Sequence, residues 1–161
     1  MRVLSVLADL LSYPNENFQR ALVEAKSLLA ELKPEDAELL RRFIDYVEAA
    51  DPYELQELYV KTFDFSEETT LYLTYHLYGD NRERGRALAE LISIYRRYGA
   101  CPPTGDLPDY LPHLLKLMAS APEAAAELSH LLSKPIEKIL KGLNSSPYFY
   151  LIKLIQNIIG C

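Results

Sequence analysis

Apolar residues in this chain recur at intervals of three and four, in rows set off from one another by prolines and glycines. Phe18, Leu22, Ala25, Leu29 and Leu32 form one row, Leu88, Leu91, Ile92 and Tyr95 a second, and Leu151, Leu154, Ile155 and Ile158 a third. A helix of 3.6 residues per turn puts each row on one face, where it must find another helix to pack against. No convincing period-2 alternation calls for a strand. The fold class expected is therefore all-α, a bundle of about nine helices without a sheet. A length of 161 residues suits one domain with its own core, so residues 1–161 read as a single helical domain.

Start and stop signals place the helices near 2–12, 15–32, 34–50, 52–63, 67–78, 81–98, 108–119, 122–141 and 147–159. Asp51-Pro52-Tyr53-Glu54 offers an N-cap acid, a proline at the first helical position and a capping-box Glu; Asp80 to Glu83 and Ser120 to Glu123 repeat the logic. Pro34, Pro135 and Pro147 read as further starts or breaks, and Gly79, Gly99 and Gly142 as stops in the left-handed conformation. The run GACPPTGDLP, residues 99–108, is rich enough in breakers to act as a hinge, which permits a domain-swapped homodimer beside a monomer.

Charge narrows the partners. The net −6 is concentrated: Glu31 to Glu68 holds twelve acids against four bases, or −8, leaving +2 elsewhere. Such a field repels phosphate backbones and anionic lipid and disfavours nucleic acid, while a cationic partner is admitted; a plain solvated helix face is the alternative. MRVLSVLADLLSYP reads as an amphipathic helix, because Asp9 interrupts its apolar run. Tyr148 to Ile159 carries Lys153, Gln156 and Asn157 and is shorter than the ~20 residues a bilayer requires, so no stable membrane insertion is expected. Cys101 and Cys161 form no CxxC pair, which fits a reducing cytoplasm.

Catalytic signatures are missing. His76, His113 and His130 do not pair at i, i+4, and no GxxxxGK[ST], GxGxxG or GxSxG occurs, so no metal, no cofactor and no catalytic residue is expected. Tyrosine stands out instead: twelve Tyr and no Trp, with Tyr46, Tyr53, Tyr59, Tyr72, Tyr75 and Tyr78 clustered. Tyrosine supplies contact area with a polar tip, as a recognition groove needs, and arginine can both stack on its ring and fork onto a neighbouring carboxylate. The steps of three at Tyr72, Tyr75 and Tyr78 equally suit boundary packing on one helix.

The run Tyr59 to Gly85, YVKTFDFSEETTLYLTYHLYGDNRERG, resembles the signature of the NarJ-like chaperones, the nitrate reductase delta-subunit or molybdenum-cofactor assembly proteins of the wider TorD/DmsD family. Leu7 to Pro14 matches an LxxLLSYP element, and Asp106 to Pro112, DLPDYLP, the later acidic element. The similarity runs in order over about residues 4–119. It implies a TorD-like bundle and a non-enzymatic cytoplasmic chaperone. Such a protein binds the N-terminal, twin-arginine-type leader of a molybdoenzyme catalytic subunit and supports cofactor insertion before export or membrane docking. The client implied is a nitrate reductase, or an enzyme of the dimethyl sulfoxide reductase type. The family's usual Asp-His pair is Asp109-Tyr110 here, and its LEF-type segment is Leu115-Lys116-Leu117.

The expected leader site takes Tyr59, Phe63, Tyr72 and Tyr75 as apolar or stacking contacts and Asp64, Asp80 and Asp109 as polar ones, with Tyr110 and His113 beside them. Asp64 and Asp80 also fit a capping role, and His113 that of a surface histidine. Two alternatives stand: a pterin- or nucleotide-binding cofactor carrier, and a helical adaptor for an unrelated client.

Overall fold

In a computed structural model that describes residues 1–161, the apolar rows become nine α-helices and one π-helical turn: α1 Arg2–Leu10, α2 Glu16–Leu28, α3 Pro34–Ala49, α4 Pro52–Tyr59, the π turn Val60–Asp64, α5 Leu73–Tyr78, α6 Arg82–Arg97, α7 Leu111–Ser120, α8 Ala124–Gly142 and α9 Tyr148–Ile159. No sheet forms. The fold is the all-helical bundle expected. α1 packs on α7 and α2, α3 on α9, and α5 on α8 and α6. One cluster of 41 buried apolar residues draws on all nine helices, so no helix packs outside it. No helix is long and apolar enough to cross a membrane.

Local chemistry explains several boundaries. Asn15 accepts from the Asn17 amide at 2.9 Å and Asp51 from the Tyr53 amide at 2.8 Å, satisfying amides that the first helical turn leaves free. Pro34 and Pro52 sit at helix starts, where the missing N–H costs nothing. Gly79 and Gly99 end helices at φ 57° and 72°, where a Cβ would be strained.

Several expectations fail for identifiable reasons. Residues 67–72 are not helical. Tyr72 is extended and forms an antiparallel bridge with Tyr110, with the Leu111 amide donating to the Leu71 carbonyl at 2.9 Å. Thr70 and Thr69 compete with helix here: the Thr70 hydroxyl accepts from the Tyr72 amide at 3.3 Å, and the Thr69 hydroxyl donates to the Thr62 carbonyl inside the π turn. Tyr72, Tyr75 and Tyr78 therefore share no three-step helical row, and α7 starts at Leu111 because Tyr110 belongs to the bridge. Neither Asp80 nor Ser120 caps a helix; the N-caps are Asn81 and Glu123. Pro135 breaks nothing and lies buried inside α8, although its ring deprives the Leu131 carbonyl of a partner.

Gly142 is needed for closeness, since it has no positive φ. A Cβ there would stand 2.6 Å from Thr69 Cγ2, a collision with the side chain that anchors the π turn. Gly142→Ala should lower the unfolding free energy by about 1 kcal/mol, because overpacking outweighs alanine's better helix propensity. A urea midpoint that rises instead would refute the close-approach reading.

Candidate functional site

α4 runs without interruption into the π turn, where the Phe65 amide reaches back five residues to the Val60 carbonyl at 3.1 Å. The extra residue in that turn shifts which side chains face the core, and such insertions cluster at functional sites. Phe63 goes inward, while Asp64 and Phe65 turn to solvent. Phe65 is 83% exposed, which leaves an aromatic ring almost wholly in water.

Behind the turn lies an aromatic wall. Tyr59 packs on Phe63 with centroids 5.1 Å apart, and Phe63 meets Tyr148 edge-on at 4.9 Å. The hydroxyls of Tyr59 and Tyr110 share a hydrogen bond. Tyr110 in turn packs at a tilt on Tyr72 at 5.1 Å and edge-on against His113 at 5.2 Å. Burial, with added repulsion from Asp106, pushes the Tyr72 hydroxyl up to about 12, and burial first of all does the same for Tyr110. Both therefore remain neutral donors near neutral pH.

Asp109 serves the fold directly. It is fully buried, and its Oδ2 accepts from the Thr74 amide at 2.8 Å and the Thr74 hydroxyl at 2.6 Å, fastening the start of α5 to the bridge strand. Its Oδ1 has no partner. The Thr74 hydroxyl also accepts from Arg84 Nε at 2.9 Å, so the guanidinium of α6 reaches the buried carboxylate through one intervening side chain. Arg84 lies over the Tyr75 ring at 5.7 Å and within 3.9 Å of Asp80.

In front of the wall is a groove of about 340 Å³ lined by Phe63, Asp64, Phe65, Tyr72, Tyr75 and Arg84, among others. Of the nine site residues read from the sequence, the structure gathers Phe63, Asp64, Tyr72 and Tyr75 on this groove. Tyr59 and Asp109 are buried behind it, Tyr110 backs the Tyr72 ring, and His113 packs on Tyr110. Asp80 stands outside, on the rim beside Arg84. Asp64 forms no ion pair; burial and then Asp106 raise its carboxyl above the ordinary value. Asp106 accepts from the Tyr72 hydroxyl at 3.3 Å and contacts His113 Nε2 at 2.9 Å.

Phe65 and Asp106 were missed as site residues. Phe65 stands inside the signature run, but nothing in its neighbours says that this phenyl, rather than Phe63, is the one in water. Asp106 comes to the groove only through the Tyr72–Tyr110 bridge, a long-range pairing with no local signal. No group of three or more His, Cys, Asp or Glu gathers as a metal site would.

Residues 29–146 match the family model described as the nitrate reductase delta subunit. The chain is 34% identical over 162 residues to the probable nitrate reductase molybdenum cofactor assembly chaperone NarJ of Bacillus subtilis, covering 96% of this chain and 88% of that protein. It is 37% identical over 149 residues to the nitrate reductase-like protein NarX of Mycobacterium tuberculosis, covering 91% of this chain and 22% of that one. The nitrate reductase molybdenum cofactor assembly chaperone NarJ of Escherichia coli is 32% identical over 126 residues, with 76% of this chain and 53% of that protein covered. The chain thus spans about a fifth of the Mycobacterium protein and about half of the Escherichia one.

Proposed function

The chain belongs to the nitrate reductase delta-subunit family, and from that membership we propose that it is a non-enzymatic assembly chaperone for a nitrate reductase. It binds the N-terminal, twin-arginine-type leader of the catalytic subunit in the cytoplasm and keeps the apoenzyme open to molybdenum-cofactor insertion before export or docking. The observation that carries the reading is the exposed Phe65 ring beside the unpaired Asp64 carboxylate, on a groove walled by Tyr72 and Tyr75. An amphipathic leader helix would lay its apolar face on Phe65, Tyr72 and Tyr75 and turn a basic side chain to Asp64 and Asp106. Tyr59, Asp109, Tyr110 and His113 hold that surface in place from behind. The groove is built within one chain, so the proposal needs no second copy.

Titration calorimetry and stopped-flow binding with a synthetic leader of the client's catalytic subunit test the assignment. Asp64→Asn should weaken binding about fivefold, and the wild-type on-rate should fall with added salt. The same variant should keep or raise the melting temperature. The native-state carboxyl of Asp64 is raised, so its stabilising contribution is present at acidic pH and lost as pH rises through the raised value; at neutral pH its charge opposes folding. Unchanged affinity together with a salt-independent on-rate would remove Asp64 from the site.

A further inference from the structure

The leader groove is one end of a longer concave track. Phe65 also lines a second hollow of about 350 Å³, shared with Tyr13, Tyr53, Val60 and Lys61. Gln56 belongs to that hollow and to a third, of about 710 Å³, between α2 and the α3–α4 junction. At the neck between them, Gln56 Nε2 donates to the Pro14 carbonyl at 2.8 Å.

Exposed apolar side chains follow the same line. Seven large hydrophobic residues are exposed in the whole chain, and four of them, Tyr13, Val23, Tyr53 and Phe65, border these three hollows. Val23 is 71% exposed and Tyr53 76%, high values for side chains that gain by leaving water. The floor of the third hollow includes buried Phe18, Leu22 and Leu55. Along the track Glu16, Glu48, Glu57, Asp64 and Glu67 outnumber Lys26, Lys61 and Arg84. Lys26 and Glu48 cancel as a pair at 2.7 Å, and Arg84 lies 3.9 Å from Asp80, which leaves Glu16, Glu57, Asp64 and Glu67 against Lys61. What remains suits an occupant with a continuous apolar face and basic flanks.

We propose that the three hollows form one docking track, and that the client segment bound here continues past the leader groove, over Tyr53, into the α2–α3 hollow beside Val23. This rests on the leader-binding reading and extends it to a longer ligand. Treated as cubes, hollows of about 340, 350 and 710 Å³ have edges summing to roughly 23 Å, or about 15 residues of helix at 1.5 Å per residue. Ridges at Phe65 and Gln56 lengthen that minimum. Glu48, released from Lys26, would be the far-end acceptor for a basic side chain.

The test compares two synthetic peptides, roughly the first 12 and the first 30 residues of the client catalytic subunit, by titration calorimetry against the full chain. The longer peptide should bind about tenfold more tightly. Val23→Glu and, separately, Tyr53→Ser should remove most of that advantage while leaving the shorter peptide's Kd unchanged. Both positions are exposed, and circular dichroism melts check that the variants fold. Equal affinities for the two peptides, or equal losses for both in Val23→Glu, would overturn the track and leave the leader groove standing. No binding of either peptide to the wild-type chain would overturn both.

Discussion

Asp109→Ala should lower the free energy of unfolding by about 3 kcal/mol, the scale for removing one member of a buried, hydrogen-bonded charge network. The substitution leaves the Thr74 amide and hydroxyl without their acceptor in a site that water does not reach. It also strands Arg84 on a hydroxyl that no longer leads to a carboxylate. Asp109→Asn keeps an oxygen for Thr74 and puts an NH₂ where Oδ1 already lacks a partner, so it should cost about 1 kcal/mol. Urea titrations followed by helical circular dichroism measure both. An Asp109→Ala midpoint equal to wild type would mean that the carboxylate does not fasten α5 to the bridge. The result also governs how leader binding is assayed: a binding defect in an Asp109 variant reports on the groove only after loss of fold has been subtracted.

Phe65→Ala should show the opposite pattern. The ring is 83% exposed, so removing it should shift the melting temperature by no more than about 1 °C, as for an ordinary surface substitution. Leader affinity should fall about 30-fold, equivalent to about 2 kcal/mol at the interface centre, where a desolvated aromatic anchor counts most. Phe63→Ala two positions away is the contrast, since that ring is buried against Tyr59 and Tyr148 and its loss should cost about 3 kcal/mol of stability. The ordering that sinks the assignment is a stable Phe65→Ala protein with wild-type affinity.

What could be read from the residues depended on the range of the interaction. The rows at Phe18–Leu32, Leu88–Tyr95 and Leu151–Ile158 announce their helices because a 3.6-residue period is visible within one segment. Gly79 and Gly99 were legible for the same reason. Tyr72 was not, because its state is decided by Tyr110, and by Thr69 and Thr70 competing for backbone partners. Gly142 looked like a stop and proves to be a contact point with a loop more than seventy residues earlier. The acidic stretch divides likewise: Glu38 is spent on Arg41 and Arg42, Glu31 lies near Arg2 and Glu48 pairs with Lys26, whereas Glu57, Asp64 and Glu67 border the track without an ion pair. Only the fold separates acids that merely solvate a helix from those that face a groove.

The Tyr72–Tyr110 bridge pins the two ends of an excursion that contains α5, α6 and the glycine-proline connection after them. With the neck held by its own backbone hydrogen bonds, the length of that connection is uncoupled from the groove wall. Doubling the stretch from Gly99 to Thr104 would add only about 0.6 kcal/mol of closure entropy. Residues can thus be added or removed there, and new surface placed on the excursion, while the Tyr72–Tyr110 ring contact and the Tyr72–Asp106 hydrogen bond stay as they are.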